Sequence, residues 1–342
     1  TSERDSSSSG WAMVTGIGAS SSKISTALRR MWLQTKVTNI VFGVFLGVTA
    51  TYSMAFLPRL DGKQSHTRGA RGTELLEPPI LGQVEAAWGL VEDLIIVAGH
   101  STFAGANFED ADEESSAWIL YNYQKRQLPA FLNHLKTGVE LAAKNKKALL
   151  VFSGGETRLQ GGPRSEAQSY WWTADAHKWF GHGHVARDRS VTEEFARDSF
   201  ENLLFSVCRF FEVTGRYPST ITVVSFKFKE ERFTKLHRKA IRWPSQNFYY
   251  VGVDVDSNPM PAYVFDAEQK NSIQYFEKDP FGCMGPLAVK RAKRNPFKRQ
   301  IPYPKGCPLI EELFTYCGST PFNKDLPWTT ATPRPSNFTL RV

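Results

Sequence analysis

Three short polar clusters each follow an apolar, strand-like run. Gly99-His100-Ser101 follows Asp93–Ala98. Ser153-Gly154-Gly155-Glu156-Thr157-Arg158 follows Ala148–Phe152, and Ser225 to Arg232 follows Ile221–Val224. In an open parallel α/β sheet, ligands bind outside the carboxyl ends of the strands. The residue types suit an anion. Glycines at Gly154 and Gly155 allow a turn whose backbone N–H groups point outward, and Arg158 can clamp the same charge. The same run also reads as a plain strand–helix turn without a ligand. Ser225, Lys229 and Arg232 add positive charge at the neighbouring strand end.

Two carboxylates, Glu166 and Glu194, are the candidate catalytic groups. Such a pair can serve as acid and base, or hold a hydroxyl or an amine. The competing reading is a glutamate that stabilises the first turn of a helix. Arg197, Asp198, Ser199 and Asn202 extend the second cluster, and Glu194, Asp198 and Asn202 keep the spacing of one helix side. His177, His182 and His184 lie among tryptophans without a carboxylate or cysteine complement, so they are not read as a metal site.

The elements that must position these residues alternate between strand and helix. Glu113–Tyr123 and Leu128–Lys144 read as helices. In the second, Leu128, Phe131, Leu132, Leu135, Val139 and Ala142 recur at helical spacing. Ser165 is a helix cap, and Thr192-Glu-Glu-Phe195 reads as the opening of a long helix. Thr220–Ser225 and Phe248–Val253 are further strands, with helix at Glu230–Ile241 stopped by Trp243-Pro244. This alternation predicts a doubly wound, mostly parallel α/β sheet. The globular domain is expected over residues 86–279, and a Pro-, Gly- and Cys-containing tail over 280–342 is expected to wrap it.

The chain has 342 residues, 41% hydrophobic side chains and a net charge of +8. Six basic residues fall between Lys290 and Arg299. Without aromatics at RNA-binding spacing, this run reads as a solvated or internally paired loop, and no nucleic acid is expected. Cys208 lies in a helical pattern and is expected to be buried. A bridge among Cys283, Cys307 and Cys317 is open if the domain faces an oxidising compartment.

Residues 1–36 are Ser-rich and read as a disordered tail. Residues 37–57 are uncharged and mostly apolar, and about 20 such residues cross a bilayer as a helix. A polar linker follows over 58–85. Lys and Arg are nearly balanced across the span, so orientation rests on the short tail. A single-pass, endomembrane protein with its main domain in the lumen is expected, and the sequon Asn337-Phe-Thr339 agrees with it. The acid-free stretch over residues 6–60 also fits an organelle transit segment.

Taken in order, Val97-Ala-Gly99, Ser153-Gly-Gly155, Ser165-Glu-Ala167, Glu194-Phe-Ala-Arg-Asp-Ser-Phe-Glu-Asn202, Val223-Val-Ser225 and Phe228-Lys-Glu-Glu-Arg232 form a pattern. It resembles the SanA/ElyC/YdcF-like family, a widespread domain of unknown function, over roughly residues 90–245. The longer form looks like the eukaryotic branch. The resemblance implies a Rossmann-like domain, often behind one N-terminal membrane helix. It also implies S-adenosylmethionine as a ligand of one branch, for which no independent signature is present. Lys229 stands where the family has a histidine, which keeps anion binding at that position and removes a histidine proton carrier.

The expected function is a membrane-anchored domain that binds a small anionic ligand, nucleotide-like or a phosphate-bearing lipid or sugar, as a transferase or hydrolase. The alternative is a non-catalytic anchored scaffold for a protein or lipid partner.

Overall fold

A computed structural model describes residues 88–112, 115–255 and 260–330. Five strands, β1 (Asp93–Ala98), β2 (Ala148–Ser153), β3 (Ser190–Glu193), β4 (Thr220–Ser225) and β5 (Phe248–Gly252), form one sheet in the order β3-β2-β1-β4-β5. Every neighbouring pair is parallel. This is an α/β fold with the Rossmann-like strand order. The order reverses between β1 and β4, so the crevice for a ligand lies at their carboxyl ends.

The central strands are apolar on both sides because both faces are covered. Leu94, Ile96, Leu149, Val151, Ile221 and Val223 face one core, and Ile95, Val97, Leu150, Phe152 and Val224 face the other. Helix α1 (Leu128–Lys144) covers the second face with the apolar stripe its sequence spacing predicts; Phe131, Leu135, Val139 and Ala142 are fully buried. Helix α2 (Glu166–Ala176) starts at Ser165, whose hydroxyl accepts from the Gln168 N–H while Gln168 reaches back, a capping box.

Two helix assignments are corrected. Thr192 does not open a helix, because Ser190–Glu193 is the edge strand β3, paired to β2 from Leu150↔Ser190 to Ser153↔Glu193. The helix α3 (Ser199–Thr214) begins later, where the Asp198 carboxylate accepts from the Glu201 N–H. Its end is set by Gly215 at φ +70°, a left-handed cap. Residues 115–124 are not a helix but two short 3-10 turns, Ser115–Ala117 and Asn122–Gln124. Trp118 pairs its backbone with Phe103 and donates its indole N–H to Ala111 O, so the aromatic core holds this stretch open.

After β4 the chain makes a 3-10 turn (Lys227–Lys229), a π-helical turn (Arg232–His237) and a short helix (Arg238–Ala240). After β5 come α4 (Ala262–Glu268), a π-helical turn (Gln269–Ile273) and α5 (Gln274–Lys278). The basic run is not a loop over its first part. Gly285–Lys293 is a helix, α6, opened by a proline in its first turn.

Residues 282–330 pack into the core on the α3 side. Tyr303, Ile310, Leu313, Phe322, Leu326 and Trp328 are buried in the same core as Phe205 and Phe210, and the Tyr303 ring packs on Phe205. Trp328 donates its indole N–H to Ile241 O, and the Phe322 N–H bonds Ala240 O. The disulfide from Cys208 to Cys307 ties this segment to α3, and one from Cys283 to Cys317 closes a loop within it. Cys208, expected only to be buried, is thus the anchor of one bridge.

The expected span at residues 37–57 lies outside the described residues. Among the described residues, no helix is long and apolar enough to cross a membrane.

The Cys208–Cys307 bridge closes a 99-residue separation, so its loss is expected to destabilise the chain by roughly 2–5 kcal/mol. Denaturant unfolding of Cys208→Ser with Cys307→Ser, against the unreduced parent, measures it. An unchanged unfolding midpoint would show that the packed tail does not rely on the bridge.

Candidate functional site

The carboxyl ends of β1, β2 and β4 and the start of α3 open on a cavity of about 510 Å³, roofed by α4, α5 and α6. Its size is that of small-molecule sites. Of the residues singled out from sequence, Gly99, His100, Arg158, Glu166, Arg197, Asp198, Ser199, Asn202, Lys229 and Arg232 line it. Ser153, Gly154, Gly155, Ser165, Glu194 and Ser225 do not.

The glycine turn is not an anion cradle. The Gly154 N–H donates to Glu193 O and the Gly155 N–H to Ala196 O. Their carbonyls accept from the Ala167 and Glu166 N–H groups. The glycines serve close packing instead. A Cβ at Gly99 or Gly154 would lie 2.8 Å from Glu166 Cβ, and one at Gly155 would lie 2.8 Å from Ala196 O. Glu166 is therefore wedged between the ends of β1 and β2. Its Oε1 accepts from the Thr157 hydroxyl at 2.5 Å.

Glu194 is also corrected. It precedes α3, and its carboxylate accepts from Gln168 Nε2 at 2.7 Å and from the Thr192 hydroxyl at 2.7 Å, outside the cavity. The structural carboxylate of this loop is its neighbour Glu193, which sequence reasoning passed over. Glu193 is buried, accepts from the Ser153 hydroxyl at 2.6 Å and from the Phe195 N–H at 2.7 Å, and burial pushes its pKa up to about 8. Asn202 donates to both Ser153 O and Ser153 Oγ, so β2, β3 and α3 are joined beneath the cavity.

Arg158 is a scaffold as well as a lining residue. One Nη2 donates to His100 O at 3.1 Å and to Gln124 Oε1 at 3.0 Å, and the guanidinium stacks 3.8 Å over the Tyr121 ring. Arg197 spends its Nε and Nη2 on Glu201. Asp198 is gripped by Arg291 of α6 at 2.5 Å. Burial would raise the Asp198 pKa, but the Arg291 guanidinium holds it at about 2.

His100 sits at the centre. It stacks on Phe226 with ring centroids 4.9 Å apart, and His134 meets it edge-on. Lys229 Nζ lies 3.1 Å from His100 Nδ1, and Ser225 Oγ lies 3.2 Å from Nε2 on the other side of the ring. Burial, with Lys229 beside it, keeps His100 well below the ordinary histidine pKa. Burial and then the neighbouring Arg232 bring Lys229 down to about 7.

Further cavity groups came from outside the sequence motifs. Glu268 of α4 faces Arg232, with Oε1 3.0 Å from Nε and both side chains under a tenth exposed. Lys290 and Arg294, a pair four residues apart at α6, reach the cavity from the C-terminal segment. Burial and Arg294 lower Lys290 to about 8. Arg294 Nη1 donates to Arg197 O at 2.8 Å. In sequence they belonged to the basic run read as a solvated or internally paired loop, since nothing there says what α6 packs against.

The lining thus carries six basic residues, Arg158, Arg197, Lys229, Arg232, Lys290 and Arg294, against the acidic Glu166, Asp198 and Glu268. Asp198 is neutralised by Arg291 and Arg197 by Glu201. The excess charge is concentrated where β4 meets α6.

No family model matches the chain, and no solved structure matches it. The chain is similar to an uncharacterized protein of Saccharomyces cerevisiae, YOR238W, at 28% identity over 265 residues, with 62% of this chain and 86% of the yeast protein covered.

Proposed function

We propose that this chain binds a small anion bearing a phosphate or pyrophosphate group in the crevice between β1 and β4. The observation that carries the reading is the meeting of Lys229 and Arg232 with Lys290 and Arg294 in one cavity, where Glu268 is the carboxylate on Arg232. Two lysines whose charged forms are disfavoured by burial and by each other's cationic neighbours are a site short of negative charge. An anion supplies it.

The rest of the cavity orients the ligand. Phe226, Phe228 and Tyr263 give it an apolar wall, and Glu166 with Thr157 offers polar groups across from the cations. Glu166 is the carboxylate left for acid–base work or for holding a hydroxyl, in a transferase or hydrolase. Two disulfides suit an oxidising compartment. That supports a lumenal domain held at the bilayer by residues 37–57.

Thermal-shift titration of the whole chain with pyrophosphate is the test, since a ligand of the native state raises its melting temperature. S-adenosylmethionine serves as a second arm. Arg232→Ala and Lys290→Ala are each expected to weaken pyrophosphate binding by about tenfold or more. A full shift in both variants, or no shift in the parent, would refute the reading.

The pH dependence has a defined sign. An anion stabilises the charged lysines, so binding takes up protons and raises both pKa values. With free values of about 7 for Lys229 and about 8 for Lys290, affinity is expected to be highest below pH 7 and to fall as pH rises from 7 to 9. Sulfate, whose own charge is constant over that range, measured as a competitor of pyrophosphate, isolates the protein's contribution. An affinity flat from pH 6 to 9 would show that neither lysine faces the anion.

A further inference from the structure

The Lys229 amine is the most unusual group in the cavity. It projects from the turn after β4 into the space between β1 and α4. It is in hydrogen-bond contact with His100 Nδ1 at 3.1 Å. His100 is fixed in turn by Phe226 stacked on its face, by Phe131 and His134 against its edge, and by Ser225 Oγ at Nε2. The charged groups acting on the amine are Arg232 and Arg294, opposed by Glu268 and Glu166. Glu268 is engaged with Arg232, and Glu166 with Thr157. No carboxylate is bonded to Lys229 among the described residues. The contact with the uncharged imidazole fixes the direction of the amine without restoring its charge, as a nucleophilic amine can use.

We propose that Lys229 is a nucleophile that condenses with the carbonyl of an aldehyde or ketone whose anionic group, phosphate or carboxylate, is held by Arg232, Lys290 and Arg294. This deepens the anion-binding reading and rests on it. Lysines beside a second cation and shielded from water are the ones that form Schiff bases. The neutral amine attacks the carbonyl carbon, the C–N bond forms, and the carbonyl π bond opens to a carbinolamine. The two amine protons leave with the carbinolamine oxygen as water, and the product is an imine plus one water. No oxidant or reductant enters. Burial and Arg232 bring Lys229 of the unliganded chain to about 7, so a reactive neutral fraction is present near neutral pH. A bound anion raises that value; with the anionic group held by Arg232, Lys290 and Arg294, the amine meets the carbonyl instead. The neutral fraction of an exposed lysine is lower by hundreds-fold (roughly, from an ordinary value near 10.4).

The whole chain is incubated at pH 7.5 with glyceraldehyde 3-phosphate or succinic semialdehyde, reduced with borohydride, and mapped by peptide mass spectrometry. The reduced adduct is expected on Lys229 at least about tenfold above the exposed Lys146 and Lys147, suppressed by pyrophosphate and reduced in Arg232→Ala. Unphosphorylated glyceraldehyde is expected to label Lys229 far less. The two anionic arms tell a phosphate ligand from a carboxylate one. Lys229→Arg removes the primary amine and is expected to lose the adduct, with the pyrophosphate thermal shift of the parent chain measured beside it. Pyrophosphate binding with no preferential adduct on Lys229 would overturn the nucleophile and leave the anion site standing. Equal labelling by glyceraldehyde and its phosphate would overturn the anionic substrate class. Loss of pyrophosphate binding in the parent chain would remove the foundation of both.

Discussion

The buried ion pair between Asp198 and Arg291 is the interaction on which the site depends. Asp198 does two things at once. One oxygen caps α3 by accepting from the Glu201 N–H, and the other meets Arg291 Nε. Glu201, itself the partner of Arg197, lies 3.2 Å from the same Arg291 nitrogen. The pair therefore joins the loop after β3 to a helix some ninety residues later. Breaking a buried pair on one side leaves an uncompensated charge, which costs several kcal/mol. Fixing α6 this way carries Lys290 and Arg294 over the cavity, and the Cys283–Cys317 bridge secures the residues just before that helix.

With α6 in place, the cavity becomes electrostatically unbalanced. Arg232 has Glu268, but Lys229 and Lys290 sit among cations and lose charge affinity through burial. An interior with low dielectric makes such crowding costly and makes a bound anion correspondingly favourable. The site is therefore assembled from two parts that are remote in sequence. One is the β4 end, which belongs to the sheet. The other is a C-terminal segment that uses α3 as its platform.

Glycines at the strand ends contribute by what they omit. Gly99 and Gly154 leave room for Glu166 between β1 and β2, and Gly155 leaves room for Ala196 O. The Ser153–Glu193–Asn202 bonds then hold three elements together below. The motif that reads as a ligand cradle is thus a packing joint, which places one carboxylate at the cavity wall and consumes its own N–H donors inside the fold.

The sequence by itself determined the sheet and the edge on which the site lies. The apolar runs at Asp93–Ala98, Ala148–Phe152 and Thr220–Ser225 become buried parallel strands because they are too short for helices, are bounded by turn residues and are covered on both faces. Leu128–Lys144 carries an unambiguous helical stripe, and Ser165 is a cap by local chemistry. Where local signals were ambiguous, tertiary structure decided. Ser190–Glu193 became a strand because β2 offered it a free edge, which displaced the helix start from Thr192 to Asp198 and took Glu194 out of the site. The partners of Arg158, the docking of Lys229 on His100, the pairing of the four cysteines and the arrival of Lys290 and Arg294 were invisible in sequence. Each joins residues far apart along the chain, and which distant groups meet is set by how the layers pack, not by the spacing of either partner.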